Sequence, residues 1–143
     1  MILDLFSAGT ETTSTTLQWA ALYLVNHPEV QEKARAEMLE NGSSGPPTLS
    51  DKHNMHYCQA VIAEVQRIGD IAPFSVPHTA SEDTNVCGYR IPKGAIVIPN
   101  LNSVMHDETV FPNSTKFDPG RFLDAEGKFC VQEKFLPFSL GKT

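Results

Sequence analysis

The chain lacks the features that mark disulfide-rich, nucleic-acid-binding or membrane-spanning proteins. Its 143 residues include three cysteines, Cys58, Cys87 and Cys130, an odd and widely spaced set that forms neither a disulfide framework nor a CxxC metal site. This usage favours a reducing, cytosol-facing environment. Eleven basic residues against seventeen acidic ones give a net charge of −6, which argues against a nucleic-acid binder. No apolar run approaches a membrane span, and the first residues do not resemble a signal peptide.

The composition is that of a folded globular protein, with 41% hydrophobic and 20% charged residues. Apolar spacing predicts one long helix over residues 1–26, because the residue before Pro28 avoids the helical region. A second helix is predicted over residues 29–40. A third is predicted over residues 52–68, with Gly69 as its C-terminal signal.

After the third helix the period changes to that of short strands. Three β-like pieces are predicted, at residues 76–79, 86–91 and 95–98. Prolines and turns at Cys87-Gly88 or Lys93-Gly94 separate these pieces. A short helix near residues 100–106 and an irregular tail from Asp107 follow. The pattern predicts a mainly α fold with a small β-sheet, of the α+β class.

The long helix carries an unusual acid and alcohol pair. Ala8 and Thr12 lie four residues apart and share a face, so the Thr12 hydroxyl can bond to the Ala8 carbonyl and bend the helix. Gly9 removes a side chain beside them, which lets a flat ligand approach the backbone. Glu11 next to Thr12 makes a sensible proton-delivery pair. The alternative interpretation is a threonine-rich helix with one exposed glutamate.

The third helix carries a charge pair with a distant candidate partner. Glu64 and Arg67 are three residues apart among apolar neighbours and can pair. Arg121 could complete the group, because its planar fork suits a carboxylate. The alternative is a solvated surface pair worth less than about 1 kcal/mol.

Two further sets of residues invite a functional reading. Residues 71–78 are apolar, are stiffened by two prolines and end in His78. The alternative to a functional role for this segment is an ordinary core strand. His53, His56 and Cys58 have no spacing that fits a strong zinc pattern, so no metal site is predicted there.

Four segments in order resemble the C-terminal part of a cytochrome P450 of the animal microsomal type. They are Ala8-Gly9-Thr10-Glu11-Thr12-Thr13, Glu64-Val65-Gln66-Arg67, Phe117-Asp118-Pro119-Gly120-Arg121-Phe122 and the final run from Phe135 to Thr143. The resemblance implies a single fragment, residues 1–143, of a larger domain, with a long helix, an ExxR helix, short strands and a meander. The chain is expected to stop just before the heme-ligand cysteine, two places beyond Thr143. Two positions depart from the family pattern, Gly120 for the commoner glutamate and Thr143 for arginine.

The resemblance also implies roles for individual residues. Glu11 and Thr12 would be catalytic, delivering protons to iron-bound oxygen. Residues expected near the heme are Ala8, Gly9, Thr12, His78, Phe138 and Gly141. Residues expected in the substrate pocket are Phe6, Ala8, Ala72 and Phe74. Glu64, Arg67 and Arg121 would form a structural triad. No metal ligand is expected within the chain.

The function implied is that of a heme-thiolate monooxygenase using heme b (iron protoporphyrin). Such an enzyme inserts one oxygen atom from O2 into a lipophilic small molecule, with electrons from NADPH supplied through a flavoprotein reductase. The full-length protein would lie at the cytosolic face of the endoplasmic reticulum, attached to the membrane only through segments outside this chain. The isolated fragment is expected to be inactive. The alternative is a non-catalytic truncated or degenerate copy without the axial cysteine.

Overall fold

Three helices form the frame of the computed structural model, which describes residues 2–42, 45 and 47–139. They are α1 (Ile2–Asn26), α2 (Pro28–Asn41) and α3 (His56–Gly69). Pro28 occupies the first turn of α2, where its missing N–H and fixed φ angle carry no penalty. His27 N–H donates to Tyr23 O at 2.9 Å, which closes α1 directly before α2 begins. The first two predicted helices are confirmed, and the third is confirmed from His56 onward.

The main core lies where these helices meet. Its buried members are Val30, Ala34, Met55, Cys58, Val61, Val65 and Phe117. The residues of α1 that pack on this core come from its C-terminal half: Trp19, Ala20, Tyr23 and Leu24. In contrast, Leu5 and Phe6 in the N-terminal half are 69% and 70% exposed. The first half of α1 is therefore held in place by what its second half contacts.

The start of α3 differs from the prediction. Residues 52–54 belong to a separate 3-10 helix, Leu49–Asn54, which begins with a capping box between Thr48 and Asp51. Met55, with φ −102° and ψ 66°, breaks the chain direction before α3 begins at His56. Glu37 of α2 fixes this start, because its carboxylate accepts the N–H groups of Tyr57 at 2.8 Å and Cys58 at 2.7 Å. The sequence reads as one helix, whereas a contact from another helix divides it.

The end of α3 lies where it was predicted, although glycine plays a different part there. Gly69 is the last helical residue, and Asp70 takes the left-handed conformation with φ 39° and ψ 55°. A β-carbon on Gly69 would lie 3.3 Å from Cγ and Cδ1 of Trp19. Glycine at this position therefore permits α1 and α3 to approach each other closely.

Two small antiparallel ladders follow. Strand β1 (His78–Thr79) pairs with β4 (Ile96–Val97), and β2 (Thr84–Val86) pairs with β3 (Tyr89–Ile91). Cys87 and Gly88 join β2 to β3 with φ angles of 50° and 87°, as a two-residue hairpin turn requires. This turn lies inside the predicted piece over residues 86–91 and divides it in two.

The last part of the chain covers the opposite side of α3. Helix α4 (Leu101–Met105) is confirmed, and the described residues after it, up to residue 139, are irregular except for a 3-10 turn, Pro119–Phe122, and a single β-bridge between Leu123 and Phe129. Phe111 and Phe122 pack with Ala60 and Ala63 of α3 in a second core cluster. The small side chains on this face of α3 leave room for the two aromatic rings. α3 is thus enclosed between the helices and the meander, which buries the charge pair that it carries.

Candidate active site

The threonine-rich turn of α1 is organised by hydroxyl groups that bond back to the helix. Thr12 Oγ1 donates to Ala8 O at 2.7 Å, the bond expected from their spacing. Thr16 Oγ1 donates to Thr12 O at 2.8 Å, so the pattern repeats one turn later. Such bonds compete for helix carbonyls and loosen the helix locally. The Thr12 hydroxyl is consequently held in a defined position beside the exposed Glu11.

The face of α1 beside Thr12 is open. A β-carbon placed on Gly9 would meet no described atom within 4 Å. Ala8 and Phe6 are also exposed. An exposed apolar surface of this kind on a helix indicates that it contacts something further. A flat apolar ligand could therefore lie against the backbone here.

A cavity of about 200 Å³ joins α1 to the last described residues. Its lining residues are Thr12, Thr13, Thr16, Leu17, Gln66, Ile71 and Phe138. The cavity therefore brings together two predicted site residues, Thr12 and Phe138, which are separated by 126 positions in the chain. Gly141, which the resemblance places near the heme, lies outside the described residues.

The predicted substrate and propionate contacts do not line this cavity. Phe6 and Phe74 are exposed, Phe74 by 59%, while Ala72 is half-buried. His78 lies on β1 opposite Val97 and is exposed. Exposure leaves these side chains free to contact a ligand, and their roles remain predictions.

A buried ion pair lies at the centre of α3. Glu64 and Arg67 are both 0% exposed. Arg67 Nε donates to Glu64 Oε2 at 2.7 Å, and its Nη2 donates to Oε1 at 2.8 Å. The remaining donors of Arg67 reach Met105 O at 2.8 Å and Ser114 O at 2.7 Å. The pair is therefore fully enclosed and bidentate, unlike the solvated alternative.

Arg121 joins this pair mainly through the meander backbone. Its Nη1 donates to Pro112 O, and its Nη2 donates to Asn113 O at 2.8 Å. Its Nε lies 3.4 Å from Glu64 Oε1, within ion-pair range, yet makes no hydrogen bond to any described atom. The contact between Arg121 Nε and Glu64 Oε1 is therefore electrostatic. Glu64 Oε1 accepts a hydrogen bond from the backbone N–H of Asp118 at 3.0 Å instead of one from Arg121 Nε.

Glu108 supports the group and was not predicted. Its carboxylate accepts the N–H of Asn113 at 2.7 Å and the N–H and hydroxyl of Ser114 at 3.0 and 2.8 Å. These bonds, led by the Ser114 hydroxyl, lower the pKa of Glu108. They hold the turn in which Asn113 takes a positive φ of 54°. The carbonyls of this turn are the ones that Arg67 and Arg121 bind. An acid six residues from its partner in an irregular segment gives no periodic signal in the sequence.

The three cysteines occupy different environments. Cys58 is buried in the main core, where its Sγ lies 3.5 Å from Ala34 O. Burial, together with the neighbouring Glu37 carboxylate, raises the pKa of the Cys58 thiol to about 12. Cys87 and Cys130 are exposed. Within the described residues, no three His, Cys, Asp or Glu side chains come together as metal ligands.

Comparison with known proteins assigns the chain to a family. A family model described as Cytochrome P450 matches residues 1–143. The chain belongs to the cytochrome P450 family. It is 50% identical over 143 residues to cytochrome P450 2D20 of Mesocricetus auratus and 49% identical over 142 residues to cytochrome P450 2B4 of Oryctolagus cuniculus. Both alignments cover 99% of this chain and 29% of the relative.

A third relative extends the same result. Cytochrome P450 2E1 of Oryctolagus cuniculus is 47% identical over 142 residues, again 99% of this chain and 29% of the relative. The chain thus spans somewhat over a quarter of these cytochromes P450. Across residues 2–42, 45 and 47–139, the helices are too short or too polar to cross a membrane.

Proposed function

We propose that the full-length protein is a heme-thiolate monooxygenase that inserts one oxygen atom from O2 into a lipophilic small molecule. The observation that carries this proposal is the cavity that joins Thr12 to Phe138. It brings the hydroxyl expected on the distal side of a heme near the loop expected to carry the iron ligand. The family membership supports the same reaction.

The described residues suit one side of a heme. The open position at Gly9 and the exposed Ala8 leave space for a flat ring against α1. Phe138 would support the ring from the C-terminal loop, as would Gly141, which follows it in the sequence. His78 would donate to a propionate, a charge-assisted bond.

The cysteines within the chain do not suit the iron. Cys58 is a poor candidate for the ligand, because its raised pKa keeps the thiol protonated. Cys87 forms a hairpin turn, remote in sequence from the Phe138 loop, and neither it nor Cys130 follows the glycine spacing of the family loop. The family pattern of this loop would place the thiolate two residues beyond Thr143.

When bound, a thiolate-ligated heme supplies the oxygen activation and the electron push for O–O cleavage. The chain supplies proton control. Thr12 Oγ1 holds its proton toward Ala8 O in the resting arrangement, and rotation about χ1 or a water would redirect it toward the ring. Glu11, which is exposed, can replace that proton from solvent. Phe6, Ala8, Ala72 and Phe74 would form an apolar wall that orients the substrate.

The buried group around α3 does no bond chemistry. Glu64, Arg67 and Arg121 fix the meander against α3, and α3 in turn lines the cavity with Gln66. The electrons would come from NADPH through a flavoprotein reductase. The full-length protein would work at the cytosolic face of the endoplasmic reticulum, attached through segments outside this chain.

A coupling measurement on the full-length, heme-loaded protein tests the proposal. The protein is supplied with reductase, NADPH and an ethoxycoumarin as a lipophilic probe, and product, NADPH use and hydrogen peroxide are followed together. Thr12→Ala should raise peroxide and lower product per NADPH, because the proton donor at Oγ1 is lost. Thr10→Ala, at an exposed threonine of the same helix that does not line the cavity, is the matched control and should leave coupling near the wild-type value.

Unchanged coupling in the Thr12→Ala protein would remove the assigned role of this hydroxyl. A wild-type protein that binds no heme would instead favour the non-catalytic alternative.

A further inference from the structure

We propose that the contact between Trp19 and Gly69 is a positioning contact, which sets the placement of Thr12 over the bound heme by fixing α1 against the end of α3. This inference rests on the proposed function for its catalytic consequence. The contact itself rests on the geometry of α1 and α3 alone.

Helix α1 is anchored through its C-terminal half. The half of α1 that carries Thr12 is largely exposed, whereas Trp19, Ala20, Tyr23 and Leu24 pack on the core. Trp19 lies seven residues beyond Thr12, two helical turns along the same face and about 10 Å away along the axis. The anchor nearest to Thr12 among these core contacts is therefore Trp19.

Trp19 fits closely against Gly69 of α3. A β-carbon on Gly69 would lie 3.3 Å from both Cγ and Cδ1 of Trp19, and 3.6 Å from its Cβ. At that separation one of the two groups must give way by a few tenths of an ångström. Glycine is thus the residue whose size leaves the indole in place.

The Trp19 indole belongs to a column of stacked rings. Trp19 stacks on Tyr23 with centroids 5.7 Å apart, and Tyr23 stacks on Phe117 at 4.6 Å. This column connects α1 to the meander that holds the buried ion pair. The stacked rings restrict movement of the indole, so we expect a methyl group at Gly69 to displace α1 together with the Trp19 side chain.

The contact between Trp19 and Gly69 lies next to the cavity on both helices. Thr16 lies one turn before Trp19, and Gln66 lies one turn before Gly69. Both Thr16 and Gln66 line the cavity that contains Thr12. The Trp19 and Gly69 contact therefore sits one turn beyond the cavity on each helix, where a small displacement alters the cavity width.

The test compares two glycine substitutions in the full-length, heme-loaded protein. Gly69→Ala adds the methyl group against Trp19. Gly45→Ala is the matched control, because a β-carbon there meets no described atom within 4 Å. A displacement of about 1 Å near an active site can cost a hundredfold, so a few tenths of an ångström should lower product per NADPH about two- to fivefold. Gly45→Ala should leave it unchanged.

A second readout does not depend on turnover. Hydrogen–deuterium exchange of the α1 amides between Thr12 and Trp19 should be faster in Gly69→Ala than in wild type, and unchanged in Gly45→Ala. Trp19→Ala removes Cγ and Cδ1, so Gly69→Ala should have no additional effect on exchange or coupling in that background. This cycle separates the contact from a general effect of alanine at a helix end.

Equal exchange and equal coupling in Gly69→Ala and wild type would overturn the positioning role. Additive effects of Trp19→Ala and Gly69→Ala would also overturn it, because the two groups would then act independently. A wild-type protein without heme or turnover would count against the proposed function, while the exchange measurements would still decide whether the contact positions α1.

Discussion

The ion pair on α3 gives the sharpest stability prediction, because the chain contains its own control. Glu64–Arg67 and Glu32–Arg35 are both glutamate–arginine pairs spaced three residues apart on a helix. The side chains of the first pair are 0% exposed, whereas Arg35 and Glu32 are 64% and 69% exposed. The two pairs therefore differ chiefly in burial, and Arg67→Met and Arg35→Met isolate its effect.

The expected magnitudes follow from what each change leaves behind. In Arg67→Met, Glu64 keeps the Asp118 N–H and the Arg121 charge at 3.4 Å but loses both close donors. The carbonyls of Met105 and Ser114 lose their donor as well. Removing one partner of a buried pair costs about 3–5 kcal/mol of unfolding free energy. Arg35→Met should cost less than about 1 kcal/mol, since an exposed pair contributes little.

Equilibrium urea unfolding of the full-length protein, followed by far-ultraviolet circular dichroism, measures both values. Arg67→Lys keeps the positive charge but loses the planar guanidinium that donates two hydrogen bonds to Glu64. It should therefore lower the unfolding free energy by an intermediate amount, about 1.5–3 kcal/mol. Equal losses for Arg67→Met and Arg35→Met, or a loss below about 1 kcal/mol for Arg67→Met, would refute the view that this pair holds the meander on α3.

Two further predictions concern single side chains. Cys58 should resist alkylation by iodoacetamide at neutral pH, because burial raises the pKa of its thiol to about 12. The exposed Cys87 and Cys130 should react under the same conditions. Rapid labelling of Cys58 in the folded protein, measured by peptide mass spectrometry, would contradict this prediction. Hydrogen bonds lower the pKa of Glu108 in the folded state, so its ionised carboxylate stabilises the fold at any pH above its ordinary pKa of 4.5. This stabilisation is lost as the pH falls through the lowered folded-state pKa. Glu108→Gln should therefore have a lower urea midpoint than wild type at neutral pH, with a gap that narrows on acidification below 4.5; a gap that does not depend on pH would exclude this cause.

Features that arise from local spacing could be predicted from the sequence. The bond from Thr12 to Ala8 follows from a four-residue separation on a helix, and Glu64 with Arg67 follows from a three-residue separation. The three helices and the short β pieces follow from apolar periodicity and from prolines and glycines. The ordered motifs added Arg121, which spacing alone would not have connected to Glu64.

Features that depend on contacts between distant segments could not be predicted. Glu37 reaches the start of α3 across twenty residues, and no periodicity in α2 distinguishes this acid from its exposed neighbours. The position of α3 relative to the short 3-10 helix depends on that contact. In the sequence, Gly69 indicates the end of a helix. In the structure, its missing side chain leaves space for the indole of Trp19, a residue fifty positions earlier in the chain.

The Arg121 geometry shows how a motif can identify a residue without giving its bonds. The ExxR pattern predicts a carboxylate partner, and the structure gives Arg121 three backbone carbonyls, those of Pro112, Asn113 and Lys116, with only an electrostatic contact to Glu64. The reason is the meander, whose turn near Asn113 directs its carbonyls toward the guanidinium. That turn is held by Glu108, which lies outside the motif.

The ferrous carbonyl spectrum of the full-length protein tests the central claim most directly. A red-shifted Soret band, characteristic of thiolate ligation, is the predicted result, and it should disappear when the cysteine expected two residues beyond Thr143 is replaced by serine. Absence of this band in a heme-loaded wild-type protein, or its persistence after that replacement, would contradict the account of the site as the distal wall and loop of a heme-thiolate monooxygenase.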